Sequence, residues 1–310
     1  MDFACIFPGQ GSQYIGMGKE LASISREAAS IFELADKVLG MELSRLCWEG
    51  PEEELTKTIN TQPAIVTTSI AAFAMLREKG LNPSMVAGHS VGEYAALVAA
   101  GALSVEDALL LVRKRGSLMY EAGIDSPGAM AAIIGLSHEH INNICKEVSS
   151  KGICQIANLN CSDQAVISGD IDAVAKAREL ATQANAKRVI PLNVSGAFHS
   201  PLMKPASAKL KEEIEKIEIK NPRIPVITNV YAREANSAQE IKDALILQME
   251  SQVLWQNSIE LIVSKGITTF VETGAGKVLS GLNKKINKEI KTSNIEDGKS
   301  WEKCINFFGL

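Results

Sequence analysis

The chain is short of positive charge. Its 32 lysines and arginines are outnumbered by 36 aspartates and glutamates, a formal net charge of −4. That balance excludes the basic footprint non-specific nucleic-acid binding needs. No uninterrupted apolar run approaches the roughly 18 residues of a membrane span. The N-terminus, MDFACIFPGQG, has an acid at Asp2 and a five-residue apolar run, too short for a signal peptide core. Cysteines number six (Cys5, Cys47, Cys145, Cys154, Cys161 and Cys304) and form no C-x-x-C pair. Free thiols in a reducing, cytoplasmic setting are therefore expected rather than a disulfide framework. Histidines number four, and His138 and His140 are spaced to face different sides of a helix. No metal site and no cofactor are expected. Internal repeats and low-complexity runs are also missing.

What is present is alternation. With 46% hydrophobic and 22% charged residues over 310 positions, the chain is an ordinary globular protein, long enough for a large core and a second, smaller one. Strand-like and helix-like segments alternate, which favours α/β with a parallel sheet. The first strand is expected at Phe3 to Phe7, with helices to Leu39, at Thr61 to Lys79 and at Val105 to about Ala122. The order then changes: strand 129–136, helix 138–148, strands 153–158 and 164–168, helix 171–184, strand 188–193. This β-α-β-β-α-β order is the ferredoxin-like motif, and it predicts an inserted small subdomain at residues 125–196. Afterwards come a helix near 207–217, strands at 226–229 and 268–272, and a helix from about Gly276. Trp301 and INFFGL are expected to dock on the core.

Gly88-His89-Ser90-Val91-Gly92 fits G-x-S-x-G, the sharp strand-to-helix turn that presents a nucleophilic serine in α/β-hydrolase-like folds. A strand at 84–87 and a helix at 93–100 supply the context the pattern requires. Residues 1–124 and 197–310 then form an α/β-hydrolase-like catalytic subdomain. The alternative is a glycine-rich turn with no chemistry.

The helix VEDALLLVRKRGSLMYEAG holds a misplaced charge. At about 100° per residue, Ala108, Leu111, Val112 and Met119 form an apolar stripe, and Arg115 falls near its centre. A buried charge is costly unless paired. Either Arg115 meets a buried acid, for which Glu93 and Glu272 are candidates, or its guanidinium fork is a socket for a substrate carboxylate.

A serine nucleophile needs a base. The side chain of His89 should diverge from Ser90 and pack beneath the turn. His199, in NVSGAFHSPLM, lies on a loop at a domain junction, placed either to enter a cleft as the base or to sit in solvent. The first loop, PGQGSQYIGMG, fails as a phosphate loop, since Tyr14 breaks G-x-G-x-x-G and Met17 replaces the P-loop lysine. The backbone N–H groups of Gln10 and Val91 suit an oxyanion hole instead; the bland reading is a plain turn.

These motifs, in this order and over nearly the whole length, resemble the malonyl-CoA:acyl-carrier-protein transacylase family. FPGQGSQYIGMG is similar to its first loop, GHSVGEYAAL to its elbow and LVRKRGSLM to its arginine helix. NLNCSDQAVISG, GAFHSPLM and ETGAGKVLSGL match a small-subdomain strand pair, the histidine loop and a late core motif. The resemblance implies a malonyl-serine intermediate on Ser90, with His199 as general base oriented by a main-chain carbonyl near Gln248. It implies Arg115 on the malonyl carboxylate, Gln10 and Val91 at the oxyanion, and Asn160 and Gln248 beside the substrate. It further implies malonyl-CoA and acyl carrier protein as partners of a cytoplasmic monomer, free-standing in fatty-acid synthesis or serving a polyketide assembly line. Lys187 and Arg188 match a basic pair that would receive the carrier or the coenzyme A phosphates, or form plain solvated surface. Asp163 and Ala275 stand where prolines are common in the family, and ESQVLW replaces a more usual segment. Two rivals stay open: a serine hydrolase or thioesterase, and a non-catalytic carrier-protein docking subunit.

Overall fold

The computed structural model describes residues 2–194 and 196–310; Ser195, inside the histidine loop, lies outside the described residues. The strands are β1 (Ala4–Phe7), β2 (Met85–Gly88), β3 (Gly128–Ile134), β4 (Cys154–Cys161), β5 (Gln164–Asp170), β6 (Arg188–Pro191), β7 (Val226–Ile227), β8 (Glu234–Ala235), β9 (Thr269–Thr273) and β10 (Lys291–Ile295). They form two sheets. One runs β10-β9-β1-β2-β7-β8, parallel apart from β8. The other runs β4-β5-β3-β6, antiparallel throughout. The fold is thus α/β, with a parallel sheet and a separate antiparallel one.

β1 and β2 are buried at every position, as the short apolar runs ACIF and MVAG require of central parallel strands covered on both faces. The antiparallel sheet is covered by the helices His138–Glu147 and Ile171–Gln183, with a core of its own around Ile133, Ile144, Ile167 and Val174. Its edge strand β4 meets the larger body where the Val253 N–H donates to Ala157 O (2.8 Å) and the Leu159 N–H to Val253 O (3.0 Å). That seam carries Asn158 and Asn160 to the cleft between the sheets.

Several boundaries differ from the sequence expectation. β7 ends at Ile227, because Asn229 turns its side chain toward the serine turn instead of continuing the ladder. The polar tail contains β10 and the helix Gly298–Phe308. β10 is a half-exposed edge strand of sequence KTSNI, so it lacks the apolar alternation that announces a strand. Its following helix is capped by Asp297 and docks through Phe308, whose ring centroid lies 4.9 Å from that of Phe3. One helix among the described residues, Thr58–Glu78, is long and apolar enough to cross a membrane by length and composition, at mean hydropathy 1.2 with 89% of that window buried inside the protein. Its scattered threonines break any continuous apolar run in the sequence while leaving the average high.

Candidate active site

The serine turn follows from two glycines. A Cβ on Gly88 would lie 2.1 Å from the backbone of Gly92, and one on Gly92 would lie 2.2 Å from Phe7 O. Neither position tolerates a side chain, so strand, turn and helix Gly92–Ala99 close against the end of β1. Ser90 is left at φ 53°, in the left-handed region. Such a residue is strained by roughly 1–3 kcal/mol and persists only where its surroundings hold it. Asn229 does this: its Oδ1 accepts the Ser90 N–H (2.6 Å) and its Nδ2 donates to Gly88 O (2.6 Å).

His199, also at positive φ (58°), faces Ser90 from the loop after β6. Its Nε2 lies 2.8 Å from Ser90 Oγ, and its Nδ1 lies 2.9 Å from Gln248 O and 3.2 Å from Ser251 O. Carbonyls only accept, so Nδ1 carries the hydrogen and Nε2 presents a lone pair to the serine hydroxyl. The Met249 carbonyl receives the His199 N–H at 2.9 Å, and Gln155 Nε2 donates to His199 O at 3.0 Å. Burial, and then the nearby Arg115 charge, push the imidazole down to about 3. A base must be unprotonated, and a lowered value means protonation only in stronger acid. Acylation of Ser90 is therefore expected to show no acid limb near pH 6.5, the ordinary histidine value. A pre-steady-state rate profile from pH 8 to 5 checks this, and a midpoint at the ordinary value would contradict it.

Arg115 is 1% exposed. Gly116 lets its helix approach the start of Thr58–Glu78: a Cβ there would sit 2.8 Å from Ile59 Cα. The approach brings Gln62 to Arg115, whose Nη1 donates to Gln62 Oε1 (2.7 Å). Nη2 donates to Gln248 Oε1 (3.0 Å) and to Ser90 Oγ (3.2 Å). The Tyr94 ring lies beneath it, 5.9 Å from guanidinium carbon to centroid. Among the described residues its buried Nε has no acceptor.

Neither expected acid pairs with Arg115. Glu272 is turned to the helix Val278–Ile286, accepting the Leu279 and Ser280 N–H groups at 3.0 and 2.7 Å. Glu93 accepts from Asn229 N (3.0 Å) and Gln248 Nε2 (2.9 Å), and its burial raises it to about 7. The guanidinium thus hydrogen-bonds to neutral oxygens alone, and those three bonds leave two of its five N–H donors spare, one of them on Nε, an arrangement complementary to an incoming anion.

Gln10, Val91, Arg115 and His199 line one cavity of about 100 Å³ at Ser90, with Met119 and Phe198 among its apolar walls. Among the described residues, neither the Gln10 nor the Val91 amide has a protein acceptor; the Gln10 side chain accepts from Thr58 Oγ1 (2.8 Å). Asn160 lies outside this cavity, on an adjoining cleft, with its Oδ1 2.9 Å from His89 Nε2. Gln248 is fully buried behind Arg115, and its main-chain carbonyl is the one at His199. His89 diverges from Ser90 and packs against Trp255, with ring centroids 5.5 Å apart. Lys187 and Arg188 are exposed at the start of β6. Sequence reasoning missed Gln62 and Asn229. The one faint signal was Gln62, a large amide within an otherwise apolar and threonine-rich helix.

Serine, imidazole and guanidinium on this two-sheet fold define the class of an acyl-transfer enzyme. The acyl transferase domain matches residues 4–299, and the chain belongs to that family. It is 50% identical over 303 residues to the malonyl CoA-acyl carrier protein transacylase of Bacillus subtilis, covering 97% of this chain and 96% of that one. Among solved structures, a type II PKS acyl-carrier protein in complex with its malonyl-transacylase matches with a TM-score of 0.96 at 42% identity, over 99% of this chain and 100% of that one. An acyl carrier protein S-malonyltransferase from Vibrio cholerae matches at 0.94 and 40% identity, over 98% of this chain and 100% of that one.

Proposed function

We propose that this chain moves a malonyl group from malonyl-CoA to the phosphopantetheine thiol of an acyl carrier protein, through a malonyl ester of Ser90, as a monomer in the cytoplasm. Ser90 Oγ attacks the thioester carbonyl while its proton passes to His199 Nε2. The amides of Gln10 and Val91 donate to the oxyanion, the C–S bond breaks, and the coenzyme A thiolate takes the proton back from His199. The carrier thiol then attacks the ester, His199 again receives the proton, and Ser90 regains it as the malonyl thioester leaves. Side chains and backbone supply every step, so the reading calls for no metal or cofactor.

The observation that carries this reading is the free Nε edge of Arg115 beside a hydroxyl already hydrogen-bonded to imidazole. A malonyl carboxylate would give that donor its acceptor; an acetyl group leaves the buried donor unmet. Arg115→Ala is therefore expected to lower the malonyl-over-acetyl preference in kcat/KM by about 10- to 150-fold, the worth of a hydrogen bond to a charged group. Competition assays with the two acyl-CoAs measure it, and an unchanged preference would leave Arg115 a packing residue.

A further inference from the structure

An amide side chain has two faces, an oxygen that accepts and a nitrogen that donates. The Gln248 nitrogen lies 2.9 Å from Glu93 Oε2 and 3.1 Å from Ser90 O, while its oxygen takes Arg115 Nη2 at 3.0 Å. Glu93 Oε2 also accepts the Asn229 N–H (3.0 Å), so it is held as an acceptor by a backbone donor that cannot be exchanged. Reversing the Gln248 amide would set its oxygen against two acceptors and its NH2 against a guanidinium, which has only donors.

Glu93 itself is 1% exposed and does not line the cavity at Ser90. Among the described residues, both partners of its side chain lead to the site. Asn229 holds the serine turn, and Gln248 holds Arg115. A buried carboxyl is a costly residue to keep, and packing alone would be served by an apolar side chain of the same length.

The geometry points to Glu93 as a positioning residue for acyl selection: its carboxyl oxygen locks the Gln248 amide so that the oxygen faces Arg115 and keeps the guanidinium aimed at the acyl carboxylate. This inference rests on the malonyl-transfer reading above. It makes discrimination depend on a residue that touches neither substrate nor nucleophile side chain, and it makes that dependence one of hydrogen-bond direction rather than charge.

Two substitutions separate those causes. Glu93→Gln keeps an acceptor, because the Asn229 N–H draws the new amide oxygen to the same place. Its malonyl-to-acetyl ratio of kcat/KM should stay close to that of the unsubstituted enzyme. Glu93→Met keeps the length and loses the acceptor, and its ratio should fall by about tenfold or more, as for loss of a hydrogen bond to a charged group. A general loss of structure lowers both rates together and leaves the ratio alone. An unchanged ratio in Glu93→Met, or an equal fall in both variants, overturns the inference.

Gln248→Met gives a second reading should Glu93→Met fail to fold, since it leaves the main-chain carbonyl to His199 in place. Its ratio should fall by a similar factor, and the double variant should fall no further than either single one, because both act through one amide. An unchanged ratio in Gln248→Met, or additive losses in the double variant, overturns the inference as well. If the unsubstituted enzyme shows no malonyl preference, the functional reading fails first, before any variant is compared.

Discussion

Ser90→Ala is expected to abolish acyl-enzyme formation, leaving no covalent adduct after exposure to malonyl-CoA. Among the described residues lining the cavity, Ser90 carries the sole hydroxyl, and none carries a thiol. The substitution deletes the atom shared by His199 Nε2 and Arg115 Nη2. Alanine is no worse suited than serine to φ 53°, and the Asn229 contact is made to the backbone N–H, so the turn should survive. Near-native thermal unfolding together with lost labelling is the expected pair of results. Persistent labelling of the alanine variant would move the nucleophile elsewhere.

His199→Ala should slow acylation by about 10²–10⁴, the usual span for a positioned general base. No other imidazole in the cavity is free to substitute, since His89 Nε2 is engaged by Asn160. The orienting partners of His199 are carbonyls rather than a carboxylate. A carboxylate would favour the imidazolium, whereas here burial and Arg115 favour the neutral ring, the form a base needs. This arrangement also separates the site from the ordinary hydrolase order of serine, acid and histidine. Single-turnover rates with malonyl-CoA give the test, and a near-normal rate would exclude His199 as the base.

The residues legible in the sequence were those that break a local rule. A serine between glycines needs a strand before it and a helix after it, and both read clearly. Arg115 stood out because the helical stripe around it is apolar. Its partners did not stand out. Nothing local marks Glu93, Asn229 or Gln248 as one network, since Ser90 meets Asn229 across 139 positions and Arg115 meets Gln248 across 133. The expectation of an acid beside Arg115 followed from the cost of burying a lone charge. The fold offsets that cost with two amide oxygens and an aromatic face instead. Among the strands, β3 and β5 of the βαββαβ order were legible as short apolar runs buried through their middles. The edge strand β10 was not, since half its surface faces water.

Intact-protein mass spectrometry after brief mixing with malonyl-CoA, run beside acetyl-CoA and the Ser90→Ala variant, shows whether Ser90 carries a malonyl group between donor and acceptor. A malonyl adduct is expected on the unsubstituted protein, with far less acetyl adduct, none on the variant, and discharge when acyl carrier protein is added. No adduct, or one that decays to free malonate without the carrier, would contradict it.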